Sequence, residues 1–183
     1  MRIAWFDARS GLSGDMTLGA LLDAGASLDA VRAAVAAVTG RAVAIEARPC
    51  VHAGGPVRGL RVSVETGDGE PHRTAGGILA SIAASGLPEP VIQRASAVFE
   101  RLALAEGAVH KEPPEHVHFH EVGAVDSIAD IVGVAAALHD LRVDRVEASP
   151  LPWTHGTVVC RHGVLPVPAP ATVELLKGWP VFG

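Results

Sequence analysis

The sequence predicts an α+β or mixed α/β fold, with a sheet of short strands packed with helices in one compact domain over residues 1–183. Three observations carry this. Apolar positions spaced three and four apart separate two groups of short apolar runs, giving the order β α α β β α α β α β β α instead of the strict alternation of a doubly wound sheet. Hydrophobic residues make up 49% of the chain and charged residues only 19%, so there is enough apolar surface for a core and global disorder is excluded. No apolar run approaches the roughly 20 residues that cross a bilayer, so the chain is expected to be soluble and without a membrane partner.

The elements follow in order. Ile3 to Phe6 reads as a short buried strand ending at Asp7, followed by a loop over Ala8 to Gly14. Met16, Leu18, Ala20, Leu21 and Leu22 mark a helix closed by Gly25, and Leu28 to Val38 marks a second, started by Ser27 and stopped by Gly40. Val43 and Ile45, then Val57 to Val64, give two strands around a turn at His52 to Pro56, a hairpin. Thr66 to Arg73 has two glycines, a proline and no apolar anchor, and is expected to be a mobile loop. Ile78, Leu79 and Ile82 mark a helix ending at Gly86, and Pro88 or Pro90 opens another through Val91, Ala95, Phe99 and Leu102. After a break at Lys111 to Glu115, a histidine-rich strand precedes a helix whose start resembles a capping box of Ser127 with Asp130. Strands at Val143 to Ala148 and His155 to His162 and a helix over Pro170 to Lys177 complete the chain.

A net charge of -5 and a pI near 6.0, with no basic cluster, exclude nucleic acid as a partner held by phosphate attraction. Cys50 and Cys160 are too few for a disulfide framework and the N-terminus lacks a signal-peptide core, so the expected location is cytoplasmic. Nine histidines and no tyrosine concentrate the polar chemistry in imidazoles and carboxylates, which points towards metal.

The foremost constellation is His116, His118, His120 and Glu121. On a strand, side chains two residues apart share a face at roughly 6.5 Å, close enough for two imidazoles to reach one ion at about 2.0 Å each. His116 and His120 would lie roughly 13 Å apart on a straight strand, so a single ion needs a bend or ligands from a second segment. Imidazole suits nickel, zinc and copper, and Glu121 or Asp126 could complete a mixed site. The same spacing also fits an exposed edge strand that is merely rich in histidine. His155, Cys160 and His162 form a second cluster, with Cys160 and His162 on one strand face; here the stronger reading is that the His-Gly pairs serve only to cap strands. The third is Asp7, Ser10, Gly11, Ser13, Gly14 and Asp15, a carboxylate at a strand end with glycines before a helix, as proteins use to hold a phosphate or a hydrated divalent cation. Asp15 could instead simply complement the helix N-terminus. His52, His72, His110 and His139 read as locally satisfied or solvated.

Three blocks carry a family resemblance: FDARSGLSGDMTLGALLDAG from Phe6 to Gly25, the stretch from His116 to Gly133 containing VHFHEVGAVDSIADIVG, and HGVLPVPAPATVELLKG from His162 to Gly178. They closely resemble the N-terminal part of the LarC family, the nickel-insertion proteins of nickel-pincer nucleotide cofactor biosynthesis. The resemblance implies a lyase-type cyclometallase. Such a protein inserts nickel into pyridinium-3,5-bisthiocarboxylic acid mononucleotide, consuming CTP with Mg2+ or Mn2+, to form the cofactor of lactate racemase and its relatives. Members often carry a histidine-rich tract where this chain has only His72 in Thr66 to Arg73. The family also continues past the position of Gly183 into a CTP-associated region, so this chain is read as a fragment or split N-terminal subunit that needs the missing region as a partner.

On this reading His116, His118 and His120 take up nickel, with Glu121, Asp126, His155 and His162 as further candidate ligands. Asp7, Asp15 and Glu121 are the catalytic candidates. Ser10, Gly11, Ser13 and Gly14 hold the phosphate of the substrate through backbone N–H groups, with a divalent cation on Asp7 and Asp15 bridging to it. Imidazole must be neutral to bind, so nickel uptake should fall as pH drops below about 6.5. The competing readings are a nickel-binding or storage protein without enzymatic role, and a metal-dependent hydrolase with Glu121 as base. The sequence leaves homo-oligomerisation open.

Overall fold

β1 (Ile3–Phe6) leads through the expected loop into α1 (Gly14–Asp23) and α2 (Leu28–Thr39), in a computed structural model that describes residues 1–51, 58–65, 73–119, 124–160 and 163–183. α2 runs between its anticipated signals. The Ser27 hydroxyl oxygen accepts a hydrogen bond from the Ala30 N–H at 3.2 Å, and Gly40 takes a left-handed φ of 73° that lets its N–H reach the Ala36 carbonyl. β2 (Ile45–Val51) and β3 (Arg58–Val64) pair antiparallel with Ile45 opposite Val64, confirming the hairpin; the turn expected at His52 to Pro56 lies outside the described residues.

α3 (Ala75–Ala83) is capped by Thr74, and α4 (Glu89–His110) starts from Pro88 with Pro90 in its first turn, where a missing N–H costs nothing. α5 (Val125–Asp140) is the central helix and packs against α1, α2 and α4. The core around it contains Leu18, Val31, Val35, Ile78, Ile82, Phe99, Phe119, Ile128 and Val132, all fully buried or nearly so. The rings of Phe99 and Phe119 lie 6.1 Å apart at 47°, a favourable tilted contact that ties α4 to the segment preceding α5.

β4 (Arg145–Ala148) lies parallel to β1 with Ile3 opposite Arg145. β5 (Leu151–Pro152) pairs parallel with β8 (Val181–Phe182), and between them in the chain β6 (Thr157–Cys160) pairs antiparallel with β7 (Gly163–Pro166) ahead of α6 (Pro170–Leu176). The mixed class therefore holds. Among the described residues, however, the strands form four separate two-stranded ladders instead of one sheet.

Four local expectations are corrected. The strand expected from His116 onwards begins as a single 3-10 turn, Pro114–His116, and among its described residues only His118 makes a bridge, to Thr74. Two prolines before His116 favour the turn by fixing φ. The capping box at Ser127 is not used: the cap is Ala124, and Ser127 lies inside the first turn with its N–H on the Asp126 carboxylate at 2.7 Å. The strand expected over His155 to His162 starts only at Thr157 and is described as far as Cys160, with His155 and Gly156 outside it. β5, β7 and β8 were not anticipated, because two- and four-residue strands rich in proline and glycine lack a period long enough to read.

Candidate functional site

Because β1 and β4 are parallel, their C-terminal ends lie side by side, the usual position for a ligand in an α/β arrangement. The Asp7 loop leaves β1 here, and Ser149 follows β4. The Ala8 N–H donates to the Ser149 hydroxyl oxygen at 2.8 Å, and the Ser149 N–H donates to the Phe6 carbonyl at 3.0 Å, so the two strand ends are stitched together. The loop then turns at Gly11, whose φ of 87° suits a residue without Cβ, with its N–H on the Ala8 carbonyl at 2.9 Å. Ser13 caps α1, accepting from the Met16 N–H at 3.4 Å while its hydroxyl donates to the Asp15 carboxylate.

The loop ends against α5. A Cβ on Gly14 would collide with the carboxylate of Asp130, so the glycine is what allows the N-terminus of α1 to approach α5. Asp126 and Asp130 stand four residues apart on one face of α5 and, with Asp15, place three carboxylates around this junction. Burial first, then the charges of Asp15 and Asp126, push the half-buried Asp130 up to about 6. Asp130 escaped the sequence reading as a site residue, although its spacing from Asp126 was the signal that could have found it.

This proton has a consequence for stability. Folding raises the affinity of Asp130 for its proton, so the stabilisation is complete below the ordinary carboxylate range and is lost as pH rises through about 6. The full displacement corresponds to at most about 3 kcal/mol, and solvent access to a half-buried carboxyl reduces it to about 1 kcal/mol. Urea unfolding at pH 4.5 and pH 7.5, chosen as about a unit and a half either side, is expected to show the native chain losing stability relative to Asp130→Asn as pH rises. A difference between the two proteins that does not change with pH would refute the assignment.

The other candidates are distributed as follows. Asp7 is taken up by Arg9, whose Nε donates to its Oδ1 at 2.7 Å; that side-chain hydrogen bond holds the Asp7 carboxyl below the usual range. Ser10, Ser13 and Asp15 are exposed, and Gly11 and Gly14 are half-buried. His116 and His118 are both exposed while Val117 and Phe119 are buried, so the alternation that turns imidazoles outward is present from 116 to 119. His155 is exposed in the loop before β6, and Cys160 ends β6 as a free, half-buried thiol. His120, Glu121 and His162 lie outside the described residues, as does the expected mobile loop apart from Arg73. Among the described residues no three histidine, cysteine, aspartate or glutamate side chains are arranged to hold a metal ion. A groove of about 330 Å³ beside His116 is lined by Gly76, Leu79, Glu100, Ala103, Leu104, Pro114 and Glu115, an apolar lining with two carboxylates that is unsuited to a phosphate. No helix among the described residues is long and apolar enough to cross a membrane.

These features define an α+β protein with a glycine-bearing, carboxylate-rich loop at parallel strand ends and solvent-facing imidazoles ahead of its central helix. The sequence model of the nickel insertion protein family matches residues 4–183, and the chain belongs to that family. It is 49% identical over its full length to a Syntrophobacter fumaroxidans protein named for nickel insertion, of which it covers 46%. It is also similar to two proteins named pyridinium-3,5-bisthiocarboxylic acid mononucleotide nickel insertion protein. One, from a Nocardioides species, is 45% identical over all of this chain and 46% of its own length. The other, from Geobacillus kaustophilus, is 42% identical over 99% of this chain and 46% of its own. The chain thus spans about half the length of the curated relatives it matches. No solved structure matches it.

Proposed function

We propose that this chain is the metal-handling part of a nickel insertase that acts on pyridinium-3,5-bisthiocarboxylic acid mononucleotide and supplies the nickel-pincer cofactor of lactate racemase-type enzymes. The observation that carries the reading is the match, over 99% or more of this chain, to relatives bearing that substrate in their names. Nickel is cargo here: His116 and His118, turned to solvent by the buried Val117 and Phe119, meet the ion with His120 and Glu121, and Asp126 stands in the first turn of the helix that follows. Carboxylate oxygens suit a hard ion such as Mg2+ or Mn2+ better than nickel, which favours imidazole, so the Asp15 loop and the histidine segment divide the chemistry between them. Within this reading CTP is bound by the region that the longer relatives carry in addition, and the reaction takes place in the cytoplasm.

The substrate phosphate is held by N–H groups of the loop from Ser10 to Gly14 at the start of α1, where the helix dipole is positive. Arg9, already opposite Asp7, is the cationic side chain nearest in sequence to this loop.

Two titrations test the division. Calorimetric titration of the chain with nickel is expected to show at least a tenfold loss of affinity in His118→Ala, His120→Ala, since losing even an outer-shell partner of a metal ligand costs about ten- to a hundredfold; unchanged affinity would overturn the site. Asp7→Asn is expected to weaken mononucleotide binding while leaving nickel affinity intact. Loss of nickel binding with substrate affinity retained would instead place Asp7 among the nickel ligands. Cofactor formation that requires this chain together with the remaining region, CTP, nickel and the thiocarboxylated substrate separates an insertase from a storage protein.

A further inference from the structure

Beyond Val143 none of the described residues is buried, although residues 151–183 contain only three charged side chains, Arg161, Glu174 and Lys177, of which the last two pair with each other at 2.5 Å. Valine, tryptophan and phenylalanine are instead presented outward. Val159 is 81% exposed and Val164 opposite it 66%, while Trp179 is 54% and Phe182 44% exposed. Two-stranded ladders are marginal on their own, and parallel pairs such as β5 and β8 are normally covered on both faces. The segment is joined to the rest mainly through the packing of α6 on α4. An ordered apolar surface of this kind marks an interaction site.

We infer that residues 151–160 and 163–183 form the docking face for the remaining half of a nickel insertion protein, which covers β6–β7 and the β5–β8 pair. The occupant is chosen by length. The matched relatives each carry a further region about as long as this chain. A region tethered to this one, with its high effective concentration, covers such a surface ahead of a second copy arriving from solution. Charge does not select the occupant, because the Glu174–Lys177 pair leaves the surface almost neutral; the contact is apolar burial completed by strand edges. This inference rests on family membership and on the exposed surface, and is independent of which residues hold nickel.

The test contains neither nickel nor nucleotide, so its failure leaves the proposed function untouched, and failure of the nickel titration leaves this inference untouched. The chain is mixed with the remaining half of the Syntrophobacter fumaroxidans relative, and association is followed by sedimentation. A one-to-one complex is expected, weakened at least tenfold by Trp179→Glu with Phe182→Glu and changed less than twofold by Val51→Glu on the hairpin β2–β3. Since Trp179 and Phe182 are not buried in the isolated chain, the double variant should fold. The same two regions joined as one polypeptide are compared with the isolated chain by hydrogen exchange, which decides if the separate half does not fold. Amides of β6, β7 and β8 are expected to exchange at least tenfold more slowly in the joined chain. Equal binding by all variants, a homodimer of this chain that the double variant dissociates while the added half binds nothing, or unchanged exchange in the joined chain would each overturn the inference.

Discussion

Phe99→Ala is expected to destabilise the chain by about 3–5 kcal/mol, the range for emptying a fully buried aromatic site. Phe99 is 0% exposed and its ring meets that of Phe119, so the variant loses both transfer energy and a tilted aromatic contact, and leaves a cavity between α4 and the segment before α5. For a chain of this size each kcal/mol is worth about 2–4 °C in Tm, so thermal and urea unfolding should both report the change clearly. The effect should reach the candidate site. Phe119 is the buried neighbour that fixes which way His118 faces, so hydrogen exchange at residues 117–119 should accelerate beyond what the global loss explains. A loss below about 1 kcal/mol, the typical size of an ordinary substitution, would show that this aromatic pair does not anchor the segment.

Gly19→Ala is expected to destabilise by about 2–3 kcal/mol, against the sign that helix propensity alone predicts. Alanine in a helix interior is better than glycine by about 1 kcal/mol. Gly19 is nevertheless buried where α1 crosses β3, and a Cβ there would overlap the carbonyl oxygen of Leu60, a backbone atom that cannot rotate away. Gly133→Ala offers the contrast: its Cβ would meet methyl groups of Val31 and Leu18 at 3.1 and 3.2 Å, which can yield by a few tenths of an ångström, so its cost should be smaller. Because α1 carries Ser13, Gly14 and Asp15 at its start, moving it off β3 should also withdraw Asp15 from Asp130 and lower the pH at which Asp130 titrates. An alanine variant as stable as the parent, measured by urea unfolding, would mean that α1 and β3 do not pack in this way.

The local signals were legible where one residue type answers one backbone need. Ser27 and Gly40 bracket α2 because one supplies a side-chain acceptor and the other a left-handed φ, and the spacing of Val91, Ala95 and Phe99 marks the buried face of α4. The blocks around the Asp7 loop and His118 likewise carried the family, since a family signature is a property of residue order. Charge alone did not reveal that Arg9 occupies Asp7, because a sequence neighbour joins a carboxylate only when the loop turns back on itself.

By itself, then, the sequence determined the helices, the β2–β3 hairpin, the mixed fold class and the family. Only the tertiary structure decided the rest, because it depends on distances between segments far apart in the chain. β1 meets β4 across 142 positions, with Ile3 opposite Arg145, and that pairing sets the Asp7 loop beside Ser149 at the strand ends. Asp130, which reads from its position as part of a helix start, becomes a protonatable group because α1 presses Gly14 against it and Asp15 adds its charge. The apolar residues after Val143 look in sequence like those of the core, yet none of the described ones is buried and Val159, Val164, Trp179 and Phe182 stand exposed, since burial is set by what packs against a side chain and not by the side chain itself.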